Sequence, residues 1–172
     1  MILYANNDKI QFMKNKKFAS AGAVVLGMHD ALVSLTGLIS GLTFAQTDRR
    51  FIILSAIIAS VAAGLSMAAS NYLAEKTNGN LHPLRAGAIT GIAYLTTCAL
   101  LVMPYLIIPN TKTALIGAFI IAILMIFGCN VCIGYARKRK FWRHAIEMLI
   151  ICTGVSIVAF VIGEVAKNYL GL

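Results

Sequence analysis

The chain has 172 residues, of which 59% are hydrophobic and only 12% are charged, and its formal net charge is +9. Soluble domains typically contain about 25% charged residues, so this composition excludes an ordinary soluble domain. The basic residues lie in short segments between long apolar stretches, where they set the orientation of membrane helices. The composition therefore indicates a multi-pass membrane protein. The placement of the basic residues argues against nucleic-acid binding.

Five apolar segments are each long enough to cross a bilayer as an α-helix, which needs roughly 20 residues. We predict an all-α bundle of five transmembrane helices in a single domain, residues 18–172. A polar basic arm, residues 1–17, precedes it and is expected to be either a short interfacial helix or disordered. The predicted spans are residues 19–44, 51–72, 86–108, 113–136 and 145–165.

The Lys and Arg residues are distributed unequally between the two sides of this bundle. The N-terminal arm and the second and fourth connections contain 11 of the 15. Cytoplasmic segments are enriched in Lys and Arg, so the bias places the N-terminus in the cytoplasm. Because the number of spans is odd, the C-terminus is expected on the opposite side.

The first predicted span contains one carboxylate, Asp30, near its middle. An ionised Asp at the bilayer centre costs about 2.5–3.5 kcal/mol on insertion scales, so such residues normally face a bundle interior or a watery path. Asp30 is therefore the first candidate functional residue, although a structural hydrogen bond to a neighbouring helix is an alternative. His29 is a weaker candidate, because it points about 100° away around the helix.

Small and bulky residues occupy different sides of the first span. The small ones recur every three or four positions, on the same stripe as Asp30 and Ser34. We expect this stripe to face protein, and the bulky stripe to face lipid or another hydrophobic surface. The small stripe contains Ala23, Gly27, Gly37 and Gly41, and the bulky stripe contains Met28, Leu32, Leu35, Ile39 and Leu42.

The second span also carries small residues at helical spacing, a pattern that permits close helix packing in membranes. Met67 lies within one of these stripes, one turn before Asn71. If the two spans form a hairpin that turns near Thr47, Asp30 and Met67 differ in depth by only about 4–5 Å. A carboxylate and a thioether would then meet one ion, a pair that suits Fe(II) or Mn(II) better than Mg or Ca. Met67 could equally fill a gap in an apolar core.

Two segments resemble the vacuolar iron transporter family. Residues 27–34, GMHDALVS, resemble its first-span signature, approximately G-x-S-D-G-L-V-S/T, and residues 63–73, AGLSMAASNYL, resemble its second, A-G-A-x-S-M-A-x-G-E-Y-L/V-S. The resemblance implies a dimeric five-helix bundle with an ion path near the dimer interface, lined by the first two helices. It implies export of Fe(II), often also Mn(II), from the cytosol in exchange for protons, with Asp30 and Met67 in the pathway.

The chain departs from the family pattern in two places. Ser70 and Asn71 replace the family's Gly-Glu, so one carboxylate near the cytoplasmic mouth is missing. Many members have a Glu-rich helical metal-binding domain between the second and third spans. Here that connection is short and holds a single carboxylate, Glu75. The chain therefore lacks the family's cytoplasmic metal-collecting module.

Other candidate residues are weaker. Ser34 and Asn71 are polar members of the small stripes, and Glu164 would mark the outer exit of the path or form a local ion pair. Cys129 and Cys132 form a CxxC on one helical face, which leaves a membrane thiol-relay protein as an alternative. However, CxxC indicates redox chemistry mainly in a thioredoxin-like context, and Cys is common in apolar interiors.

The sequence has no nucleotide-binding loop, Ser-His-Asp arrangement or zinc-site spacing, so we expect neither an enzyme nor a bound cofactor. A non-transporting membrane interaction protein of the same fold is a further alternative. The expected partners are divalent metal ions, protons, the lipid bilayer and a second copy of the chain. The expected location is the cell (inner) membrane, or a vacuole-like organelle membrane in a eukaryote.

Overall fold

The computed structural model describes the backbone of residues 2–45, 48–137 and 141–170. Side chains are described for residues 21–45, 48–129, 131, 146–165 and 168–169. Throughout these parts the chain is helical, and short turns join the helices. The helices are α1 (Ile2–Ala45), α2 (Arg49–Thr77), α3 (Pro83–Ile107), α4 (Thr111–Arg137) and α5 (Phe141–Leu170).

Each helix contains a segment long and apolar enough to cross a membrane, which confirms the predicted five-helix membrane bundle. These segments are Ala21–Ala45, Arg49–Thr77, Pro83–Ile107, Thr111–Cys129 and Ile146–Val165. Helix α1 begins at Ile2, so residues 2–17 of the expected arm belong to the first helix. With 44 residues, α1 is about 65 Å long. Its N-terminal part therefore extends beyond a hydrocarbon layer of about 30 Å.

Polar residues begin two of the helices at the same end of the bundle. The Asp48 carboxylate accepts a hydrogen bond at 2.9 Å from the backbone N–H two residues later, and Asn110 does the same at 3.0 Å. Both side chains satisfy N–H groups that a helix start leaves unpaired. The Arg49 guanidinium donates to the Ile108 carbonyl at 3.3 Å. The α1–α2 and α3–α4 connections are therefore adjacent.

Helices α1 and α3 form the centre of the bundle. Half of each of their membrane-spanning segments is buried, against 17% to 28% for the other three helices. Helix α1 packs mainly on α3 and α5, and α2 packs mainly on α3. The largest fully buried side chains include Leu32, Ile39, Tyr94, Leu101, Tyr105 and Ile126.

The bulky stripe of α1 faces this core, so of the two predicted environments, lipid or another hydrophobic surface, it meets the second. Leu32, Leu35 and Ile39 are at most 2% exposed and belong to the hydrophobic cluster at the centre of the bundle. The physical reason is that α1 is a central helix with neighbours on several sides. Its bulky residues meet another hydrophobic surface, which is protein.

The glycines of the small stripe face protein, as predicted, whereas Asp30 and Ser34 on the same stripe are exposed on the single chain. A Cβ at Gly27 would overlap the carbonyl of Thr90 on α3, and one at Gly41 would lie 3.0 Å from the carbonyl oxygen of Ala159 on α5. Helix α3 approaches α2 in the same manner, since a Cβ at Gly87 would lie 2.5 Å from the Ala68 carbonyl oxygen. Small residues thus allow the backbones to touch, which is how membrane helices associate closely.

Candidate functional site

Asp30 lies on α1, within the membrane-spanning segment Ala21–Ala45, and is exposed on the surface of the single chain. Among the described side chains no cation pairs with its carboxylate. Ser34, one turn later on the same helix, is also exposed. A carboxylate at this position is unfavourable against hydrocarbon. The surface around Asp30 therefore requires a neighbour other than lipid tails.

A hydrogen-bonded pair holds the turn of α1 that contains Asp30. The Ser34 hydroxyl donates to the Asp30 carbonyl oxygen at 2.7 Å, and its oxygen lies 2.8 Å from the hydroxyl oxygen of Tyr94 on α3. Because a serine hydroxyl has one proton, and that proton points to Asp30, the Tyr94 hydroxyl is the donor to Ser34. Tyr94 is only 2% exposed. The tyrosine thus fixes Ser34, and through it the backbone at Asp30.

Glycines on both neighbouring helices make room for Tyr94. A Cβ at Gly27 on α1 would lie 3.2 Å from the Tyr94 backbone nitrogen, and one at Gly64 on α2 would lie 3.3 Å from the Tyr94 ring. The tyrosine therefore sits between the helix that carries Asp30 and the helix that carries Met67. Sequence reasoning missed Tyr94. The available signal was the polar stripe that Thr90, Tyr94, Thr97 and Cys98 form on α3 at spacings of three and four.

Asn71 and Met67 lie on the side of α2 that faces the bundle. The Asn71 amide donates to the Thr90 hydroxyl at 2.6 Å, and that hydroxyl donates in turn to the Ala86 carbonyl. Met67 is half-buried and packs against the hydrophobic cluster. The structure thus places the Ser34 hydroxyl against the Asp30 carbonyl oxygen and links Asn71 to α3 by a hydrogen bond. A metal position shared by Asp30 and Met67 stays a prediction.

The weaker candidates are spread over the bundle. His29 is half-buried next to Asp30 on α1, and Glu164 is exposed near the end of α5. Cys129 is half-buried, whereas the side chain of Cys132 lies outside the described residues, so the thiol-pair prediction stays untested. Within the described side chains, no three His, Cys, Asp or Glu residues cluster in a way that would hold a metal ion. A cation at Asp30 would need hydroxyl, amide or sulfur ligands, or groups from a second chain.

Comparison with known proteins gives one family. The family model described as the VIT family matches residues 21–81 and 75–164, which together contain nearly all of the five membrane-spanning segments. The two matched parts overlap at residues 75–81, at the end of α2 and in the α2–α3 connection. No curated protein matches the chain.

Proposed function

Because this chain belongs to the VIT family, the vacuolar iron transporter family, we propose that it exports Fe(II), and also Mn(II), from the cytosol in exchange for protons. Membership of this family indicates a membrane metal-ion transporter. The observation that supports the finer proposal best is the Asp30 carboxylate, which is exposed on a membrane-spanning helix. Intramembrane carboxylates typically belong to ion or proton paths.

The exposed surface at Asp30 supports a homodimer. The glycines of α1 contact α3 and α5, whereas Asp30 and Ser34 on the same stripe are exposed, so the chain itself leaves this part of the helix uncovered. We propose that a second copy covers this surface, so that the Asp30 carboxylates of the two chains face a common path. A dimer of this kind removes the carboxylates from hydrocarbon and places two negative charges near one divalent cation.

Competition at Asp30 provides the exchange mechanism. Away from bulk water the carboxylate is stable only when a proton or a cation neutralises it, and the two exclude one another. A divalent metal ion from the cytoplasm displaces the proton, and a proton from the opposite side releases the metal ion. Met67 adds a thioether, which favours Fe(II) over Mg(II), because Mg(II) holds its waters tightly and prefers oxygen ligands.

The cytoplasmic mouth of this path has little negative charge. The Glu75 carboxylate, in the last turn of α2, accepts a hydrogen bond from the Asn80 amide of the α2–α3 connection. Gly79 has a φ of 74°, which allows the tight turn that follows α2. The two matched parts of the family model overlap at this connection. Only five residues separate α2 from α3, so we propose transport without a separate cytoplasmic metal-collecting module.

Asp30→Asn tests the proposal, because the amide is nearly isosteric but cannot carry the charge. In liposomes containing the purified protein, this change should abolish both Fe(II) or Mn(II) uptake and the coupled change of internal pH. Asp48→Asn is the matched control. It also removes one exposed carboxylate, but Asn is an equally good residue at a helix start. Asp48→Asn should transport normally.

Two results would contradict the proposal. Normal metal-driven proton movement by Asp30→Asn would show that Asp30 is only structural. A folded, dimeric wild-type protein that moves no divalent cation would indicate the non-transporting membrane interaction protein instead.

A further inference from the structure

Two leucines where α2 connects to α3 are unusually exposed. Leu81 and Leu84 are each 73% exposed, and among the described large hydrophobic side chains only Tyr169 is more exposed. Residues 81–85 together line a surface recess of about 360 Å³, which we call the connection recess. Apolar side chains gain free energy when they leave water. The connection recess therefore indicates a neighbour that is at least partly apolar.

The lengths of the helices place this recess at the edge of the bilayer. The Arg49 guanidinium donates to the Ile108 carbonyl, so α2 begins at the level where α3 ends. Leu84 lies about 35 Å along α3 from its last residue, Ile107. The hydrocarbon layer is about 30 Å thick, or about 40–45 Å with the headgroups. With Arg49 at one hydrocarbon boundary, Leu84 therefore lies in the opposite headgroup layer, which the bias of Lys and Arg assigns to the cytoplasm.

Two basic side chains flank the connection recess. Arg85 lines it and is exposed, and Lys76 is exposed in the last turn of α2. The Lys76 ammonium lies 5.8 Å from the centre of the Tyr72 ring. Tyr72 packs against α3, since a Cβ at Gly87 would lie 2.9 Å from the Tyr72 Cβ. Lys76 and Arg85 thus lie at the same end of the α2–α3 pair.

The charge on this side of the bundle favours an anionic neighbour. Glu75, the carboxylate next to Lys76, is engaged by the Asn80 amide. The other segments assigned to this side, the N-terminal arm and the fourth connection, are rich in Lys and Arg. Basic residues at the cytoplasmic face of a membrane attract anionic lipids. A molecule that is apolar at one end and anionic at the other therefore matches the leucines and the basic side chains together.

We propose that the connection recess binds an anionic phospholipid of the cytoplasmic leaflet, with the phosphate at Arg85 and Lys76 and an acyl chain against Leu81 and Leu84. The leucines favour a lipid over free phosphate, because inorganic phosphate has no apolar surface to cover them. The depth of the recess favours a lipid over an acidic protein, because lipid headgroups already surround it. The inference goes beyond the proposed transport function and does not depend on it.

Native mass spectrometry of the purified protein in a neutral detergent measures its affinity for single lipids. The wild type should bind phosphatidylglycerol more tightly than phosphatidylcholine with the same acyl chains. Lys76→Gln combined with Arg85→Gln should weaken phosphatidylglycerol binding by about fivefold for each lost charge, so by about 25-fold, and affect phosphatidylcholine much less. Arg50→Gln combined with Lys112→Gln is the matched control, because both side chains are exposed at the opposite end of the bundle. It should bind phosphatidylglycerol as the wild type does.

Leu81→Gln combined with Leu84→Gln tests the apolar part of the connection recess. Both side chains are exposed, so the variant should keep the helical circular dichroism and the Tm of the wild type in detergent. It should bind phosphatidylglycerol at least about tenfold more weakly. Arg85→Lys keeps the charge and should retain most of the affinity. Neither millimolar inorganic phosphate nor a soluble polyglutamate peptide should displace the lipid.

Several results would overturn the inference. Equal affinity of the wild type for the two lipids, or unchanged affinity after loss of Lys76 and Arg85, would show that these charges serve only to orient the helices. An equal loss in the control variant would indicate attraction to the net charge of the protein. Unchanged binding in the leucine variant, or displacement by phosphate, would indicate a site for free anions. Displacement by polyglutamate would indicate a surface for an acidic protein.

Discussion

Replacing Gly27 by Ala tests whether the close contact between α1 and α3 holds the site together. The added Cβ would overlap the Thr90 carbonyl oxygen and lie 3.0 Å from the Thr90 carbonyl carbon. Both are backbone atoms of a helix, so neither can rotate away as a flexible side chain would. The two helices would have to separate at the position where Tyr94 contacts α1.

The expected change in the free energy of unfolding on Gly27→Ala is the balance of two contributions. Alanine in place of glycine favours a helix by roughly 0.5–1 kcal/mol. Extra volume in a packed core costs about 1–3 kcal/mol, or more when the backbone must shift. The contact at Gly27 is severe, so the cost should exceed the gain, and the net destabilisation should be about 1–2 kcal/mol. Separation of the helices would also lengthen the Tyr94–Ser34 hydrogen bond and disturb Asp30.

Gly22 provides the control on the same helix, because a Cβ there has nothing within 4 Å. Thermal melting of the purified protein in detergent should give a lower Tm for Gly27→Ala, and an equal or higher Tm for Gly22→Ala. Metal uptake in liposomes should fall only for Gly27→Ala. If Gly27→Ala melted at or above the wild-type temperature, the close packing of α1 on α3 would be refuted.

Three further changes test individual groups. Tyr94→Phe removes the donor to Ser34 and should cost about 0.5–1.5 kcal/mol, with a lower Tm and reduced metal uptake; unchanged uptake would show that this bond does not position Asp30. Met67→Leu keeps the packing volume and should weaken the preference for Fe(II) over Mg(II) in competition assays, whereas an unchanged preference would argue against a thioether ligand. Joint replacement of Cys129 and Cys132 by Ala should leave transport and dimer formation largely intact; loss of transport in a folded protein would favour the thiol-relay alternative.

The five spans could be predicted because each depends only on a local property. A segment of about 20 apolar residues satisfies its own backbone hydrogen bonds as a helix and matches the thickness of a bilayer. The ends of the spans were predicted less accurately. The second span was predicted to end at residue 72, but α2 continues to Thr77. The polar residues that follow the apolar segment do not stop a helix, and the turn comes only at Asn78 and Gly79.

Whether a given side of a helix faces lipid or protein could not be predicted in the same way. Lipid tails and a protein core are equally apolar, so a stripe of Leu and Ile does not reveal which of them it meets. For Leu32 and Ile39 the answer depends on helices that follow much later in the chain. Tyr94 was missed for a related reason. Its role arises from Ser34 and Gly64, which come close to it only in the folded bundle.

The contacts of α3 with α1 and α2 determine how these first two helices can line an ion path. Gly27 on α1 contacts the carbonyl of Thr90, and Asn71 on α2 donates to the hydroxyl of the same residue. One turn later, Tyr94 contacts Gly64 on α2 and bonds Ser34 on α1. Helix α3 therefore sets the distance between the helices that carry Asp30 and Met67. Because its residues at this level are buried and closely packed, that distance is fixed by α3 and does not depend on a bound cation drawing the two helices together.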